Sequence, residues 1–138
     1  MSLDSARTQI VTAVEGARAA WTNFLVVQYD NRIAVDPQKA HDTWLDVNIM
    51  FTDAYQGDLS DQPFHRHIGI IQLAAVTKYG NGTAEGLRLL EHFYTRLQRK
   101  QFGSVRTLVM DPRPTRQHLG WDWQMCAVPF WFDVVLTA

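Results

Sequence analysis

The run TWLDVNIMFTDAY, residues 43–55, constrains this chain most strongly. Leu45, Val47, Ile49 and Phe51 fall on one side of it; Trp44, Asp46, Asn48 and Met50 fall on the other. A period of two belongs to a strand with one buried face. So long a strand needs neighbours, and it needs a second layer over its apolar side. The chain supplies both. WDWQMCAVPFWFDVVL (121–136) alternates in the same way and puts Val128, Phe130, Phe132, Val134 and Leu136 on one face. Pro129 within it has no N–H to give, which predicts an edge or a bulge. RHIGIIQLAAVTKY (66–79) is a further strand, where Gly69 predicts a bulge or a close backbone approach. FLVVQY (24–29) and VRTLVM (105–110) are shorter candidates, and DPRPTRQHLG (111–120) reads as a loop.

Two segments carry the helical period instead. Ala6, Ile10, Val14, Ala17 and Trp21 share one face of a helix over residues 4–22, with Asp4 or Ser5 as its cap. A second helix begins near Thr83. Leu90, Phe93 and Leu97 form its inner stripe, flanked by Leu87 and Tyr94, and Arg88, Thr95, Arg96 and Arg99 lie outside. Gly103 is the expected stop. The order is then α-β-β-β-α-β-β. Most strand connections are too short for helical crossovers, so the sheet should be mostly antiparallel. The expectation is one α+β domain over residues 1–138, in two layers, with both helices on one face of the sheet.

Composition excludes several alternatives. A chain of 138 residues buries roughly two-thirds of its unfolded surface without a metal or disulfide staple. A single cysteine, Cys126, forbids an internal disulfide, and its apolar setting (MCAVPFWF) fits a buried small hydrophobe better than a thiol nucleophile. No window approaches 18 uninterrupted apolar residues, so no membrane helix is expected, and MSLDSARTQIVTAVEG does not read as a signal peptide. The net charge of −1 does not suit a general nucleic-acid binder.

Three motifs invite chemical readings. Gly80, Gly82 and Gly86 in KYGNGTAEG stand between a strand and a helix, where a phosphate could bind, and Asp111 lies about 25 residues further on, near the spacing of a ribose-binding acid. A dinucleotide fold needs repeated parallel βαβ units, however, and Glu85 would repel a pyrophosphate. No Lys-Ser or Lys-Thr follows the glycines, so a P-loop fails. The loop is expected to turn a corner. His65 and His67 have the spacing of metal ligands, but His41, His92 and His118 fall in separate segments, short of the three or four ligands of a zinc site. Glu91 and His92 are adjacent on a helix and point about 100° apart, which is poor for acid–base work. No catalytic, cofactor or metal residue is assigned.

Charge is unevenly shared. Residues 1–64 carry nine acids and four bases; residues 65–138 carry five acids and nine bases. Opposed halves suit a molecule that meets copies of itself or a partner through complementary potentials. The basic concentration is Arg88, Arg96, Arg99, Lys100, Arg106, Arg113 and Arg116. Five tryptophans are many, and most are expected in the core. Trp121 and Trp123 flank Asp122 where a strand begins, and exposed there they would mark an interface, where Trp and Arg are enriched.

Taken in order, several pieces form a pattern: an N-terminal helix, then Tyr29-Asp30-Asn31, and a strand opening on Trp44. Arg66, Gly69, Ile71 and Gln72 follow, then Gly80-Asn81-Gly82 leading into a helix with Phe93. The end reads Trp123 to Val128, Pro129-Phe130, Phe132-Asp133. Over nearly its whole length the chain resembles the tail-terminator-like proteins of long-tailed bacteriophages and prophages, the group of the lambda minor tail protein U. Relatives commonly carry a proline shortly before the glycine loop; Thr77-Lys78-Tyr79 has none. The resemblance implies a structural protein rather than an enzyme, with no cofactor. Copies would form a ring, probably a hexamer, that caps the tail tube, ends its polymerisation and presents a surface to head-completion proteins. The partners would be the chain itself, the tube protein and a head-completion protein. The place would be the virion tail, assembled in the bacterial host cytoplasm. Arg88, Arg96, Arg99, Lys100, Arg113, Arg116 and Trp121 are the expected interface. A head–tail connector is the alternative, and a small nucleotide- or metal-dependent enzyme a remote one.

Overall fold

A computed structural model describes residues 2–21, 25–29, 43–56, 64–78, 84–118 and 120–135. Among the described residues two helices and seven strands follow in the order α-β-β-β-α-β-β-β-β, two strands more than the sequence pattern suggests: α1 (Leu3–Ala19), β1 (Val26–Tyr29), β2 (Thr43–Gln56), β3 (Phe64–Lys78), α2 (Ala84–Leu97), β4 (Gln101–Phe102), β5 (Val105–Thr107), β6 (Asp111–His118) and β7 (Trp121–Val135). The strands form one mixed sheet in the order β1-β2-β3-β7-β5-β4, and β6 also pairs with β7. Every pairing is antiparallel except β1 with β2. The class is α+β with a mostly antiparallel sheet.

The long central strands follow their alternation. Leu45, Val47 and Ile49 of β2, Ile71, Leu73 and Ala75 of β3, and Cys126, Val128, Phe130 and Phe132 of β7 share one core with residues of both helices. Alpha1 contributes Ala6, Ile10, Val14 and Ala17; α2 contributes Leu89, Leu90, Phe93 and Leu97. The α1 stripe is the one its spacing predicts as far as Ala17; Trp21 lies past the helix end, partly buried against the same core. Its cap differs: the Ser2 hydroxyl, not Asp4 or Ser5, accepts from the Ser5 N–H at 3.1 Å. In α2 the inner stripe takes Leu89, while Leu87 is half exposed at its surface. The Thr83 cap and the glycines at 80 and 82 lie outside the described residues.

Three local expectations are corrected. DPRPTRQHLG is not a loop: residues 111–118 form β6. Gly103 does not end α2; with φ of +61° it turns the β4–β5 hairpin, and Arg99, at φ of +54°, follows the end of the helix. Pro129 is not on an outer strand. Beta5 pairs with β7 at Trp131 and Phe130, and β6 resumes at Ala127, so Pro129 sits where one neighbour hands over to the next. A missing N–H disrupts no ladder there. Gly69 does sit opposite a bulge, between Phe51 and Asp53 of β2. A Cβ at Gly69 would collide with the Met50 carbonyl oxygen and come within 2.5 Å of the Phe130 ring.

Candidate functional site

Directly paired residues of antiparallel strands point to the same side of a sheet. The register therefore places Trp44, Asp46 and Met50 of β2 together with Arg66, Ile70, Gln72 and Val76 of β3. Trp121, Trp123, Met125, Trp131 and Asp133 of β7 join them. All lie on the face opposite the helical core, and no described helix covers it. Arg106 of β5 is paired with Trp131, Arg113 of β6 with Met125, and Arg116 with Trp123, so these three arginines lie on the same face.

A bulge explains how both Arg113 and Arg116 reach it. Residues three apart on a regular strand point to opposite sides. The register shift between Arg113 and Arg116 inserts one residue and turns Arg116 back. Both are exposed, and with Pro114, Met50, Ile70, Gln72 and Met125 they line a shallow depression of about 370 Å³. Its floor is apolar and its rim carries two guanidinium groups. Arg113 faces Asp111 at 3.6 Å, an exposed pair that leaves it available.

The tryptophans on this face are graded in burial. Trp44, which alternation alone would put on the polar side, is 2% exposed. Trp121 covers it edge-on at 4.6 Å between ring centroids, and Trp123 does so at 6.3 Å. Trp121 and Trp123 are themselves half-buried. They stand on this face rather than in the helical core, as does Trp131, over which the Arg66 guanidinium lies at 4.0 Å and that of Arg106 at 5.4 Å. Two bonds to Asp133, at 2.8 and 3.0 Å, hold Arg66 in place, and this carboxylate raises the pKa of the guanidinium. Asp46 is half-buried beside Trp44. Burial raises its carboxyl to about 6, opposed by the Trp44 indole N–H, which lies outside ordinary hydrogen-bond geometry.

The seven expected interface residues separate into two groups. Arg113, Arg116 and Trp121 belong to the open sheet face. Arg88, Arg96, Arg99 and Lys100 belong to α2 and its exit, on the other side of the core. Arg96 also bonds the His92 carbonyl oxygen at the end of the helix, at 3.0 Å. Arg99 lies past the helix terminus, so it does not extend the Arg88–Arg96 face as helical spacing suggests. Sequence reasoning did not place Arg66 among the residues of this face. Its pairing with Asp133, and its stacking on Trp131, depend on β3 and β7 being neighbours.

The other motifs acquire structural roles. Beta3 and β5 run in the same direction, but β7 lies between them, so α2 does not close a parallel unit of adjacent strands. Thr77, Asp122 and Gln124 are buried near the first turn of α2, where Gly86 leaves room for Gln124. A phosphate brought to that turn would meet Asp122 and Glu85. His67 stacks on Phe132 at 5.1 Å, and His92 bonds the Ala17 carbonyl at 2.7 Å, tying α2 to the end of α1. Among the described residues no three His, Cys, Asp or Glu side chains are grouped to hold a metal ion. Burial pushes the Cys126 thiol up to about 12, which disfavours the thiolate a nucleophile needs. No described helix is long and apolar enough to cross a membrane.

No family model matches the chain, and no curated protein matches it. Among solved structures 22 chains are similar. One of these, known by a sequence label alone, aligns with 100% of this chain and 98% of its own, with a TM-score of 0.67 and 18% identity. At that identity the likeness establishes the fold alone.

Proposed function

We propose that this chain is a structural protein of a bacteriophage or prophage that caps the tail tube as a ring. The ring ends tube polymerisation and offers the surface on which the head is joined. The ordered resemblance along the sequence motivates this reading. The observation that carries it is the open sheet face: four tryptophans and four arginines gather on one side of the sheet, with no described helix over them. Trp and Arg are the residues in which protein interfaces are enriched and from which hot spots are built. With the two described helices packed on the core face, this face and the outer surface of α2 are opposite sides. A subunit in a ring on a tube needs such separate surfaces, since a cyclic assembly joins different patches of successive copies. The protein acts by binding, not catalysis, in the virion tail after assembly in the host cytoplasm.

The test is deletion of the gene from the phage or prophage that carries it, followed by electron microscopy of the lysate. Overlong, irregular tails without heads are expected. Tails of normal length that lack heads would move the protein to the head–tail connector. Intact virions would overturn both readings.

A further inference from the structure

Within the open face, the Arg113–Arg116 depression and the far end of β2 are complementary. Between Lys39 and Arg66 the sequence holds five aspartates and no lysine or arginine. In the described part of this run, Asp53 and Tyr55 lie beyond the β2 bulge and are exposed, Tyr55 at 47%. The bulge returns both to the open face, paired with Ile68 and Arg66. An exposed carboxylate two residues from an exposed aromatic ring is what the depression lacks. Its rim offers two guanidinium groups to a carboxylate. Its floor of Met50, Ile70 and Met125 offers half-buried apolar surface to a ring, with thioethers that adapt to one.

We propose that the depression receives the Asp53–Tyr55 segment of a second copy of this chain. The Asp53 carboxylate meets Arg113 and Arg116, and the Tyr55 ring covers the floor. The two patches are different parts of one surface, so a contact made once per pair is heterologous and repeats from copy to copy, whereas reciprocal docking would close a two-fold dimer. This inference rests on the ring-building reading and names its contact.

The experiment uses the full chain and two variants, Arg113→Gln with Arg116→Gln, and Asp53→Asn with Tyr55→Ala. Circular dichroism checks that each is folded. Sedimentation velocity at low salt, over a concentration series, measures association. The wild type is expected to associate, and more weakly as salt rises, because exposed charge pairs are screened. Each variant alone should lose affinity by at least about tenfold, which is about 1.4 kcal/mol. An equal mixture should pair one to one and stop there, since each member keeps only one half of the contact. A wild type that stays monomeric throughout, a folded variant that associates like the wild type, or a mixture that does not pair would overturn the contact. Failure here with overlong tails after gene deletion would leave tail capping standing; a successful pairing with normal tails would refute capping and keep the contact.

Discussion

Asp46 offers the sharpest test of the energetics of the open face. Its carboxyl lies half-buried beside Trp44, and desolvation lifts it from 3.8 to about 6. A group whose folded pKa lies above its unfolded value binds its proton more tightly in the native state. Its contribution is therefore fully present below about pH 4 and is lost as pH rises through about 6. About two units at 1.36 kcal/mol each set a ceiling of about 3 kcal/mol at neutral pH. Partial exposure screens this, leaving about 1–2 kcal/mol. Asparagine keeps the shape and removes the charge. Asp46→Asn should thus stabilise the fold by about 1–2 kcal/mol at pH 7, with the gain shrinking to a few tenths of a kcal/mol near pH 4. Urea denaturation of both proteins at the two pH values measures this. A gain that does not change with pH, or a loss at pH 7, would show that the carboxylate is not held at a desolvation cost.

Other positions give simpler outcomes. Gly69→Ala should cost about 1–3 kcal/mol in urea denaturation, because the new methyl meets a backbone carbonyl and the Phe130 ring rather than a yielding chain end. Arg99→Gly should raise stability by about 0.5–1 kcal/mol, since Arg99 holds φ of +54° and glycine takes that conformation without penalty. Asp133→Asn should cost about 1–2 kcal/mol by removing the paired bonds to Arg66, and tryptophan fluorescence should shift as Trp131 is uncovered. Arg96→Glu with Arg99→Glu should leave self-association through the open face unchanged and impair tail capping in a complementation assay, if α2 meets the tube or the head. Normal capping would remove α2 from the interface.

Where local pattern decides structure, the sequence was readable. Ala6, Ile10, Val14 and Ala17 needed only the helical period, and the core faces of β2 and β7 needed only alternation. Beta6 escaped because Pro112, Pro114 and its charged neighbours have a loop composition. Among the described residues it pairs through one edge only, and proline is tolerated on such an edge, where it also discourages further strand pairing. Trp44 defied alternation because burial on the second face comes from Trp121 and Trp123, far along the chain. The same limit applied to the site. Composition singled out Arg113, Arg116 and Trp121, but a bulge in β6 decides that the two arginines share a face. Arg88 and Arg96 were grouped with them on charge alone, which carries no information about which layer a residue occupies.

The claim that this protein caps a tail tube is tested most directly by locating it. Purified tails should be imaged with gold-labelled antibody against the chain, alongside tails from the gene-deleted strain. The account predicts label at one end of each wild-type tail, the end that joins the head, and none on the deleted strain. Label along the tube, on the head shell, or absent from wild-type tails would contradict it.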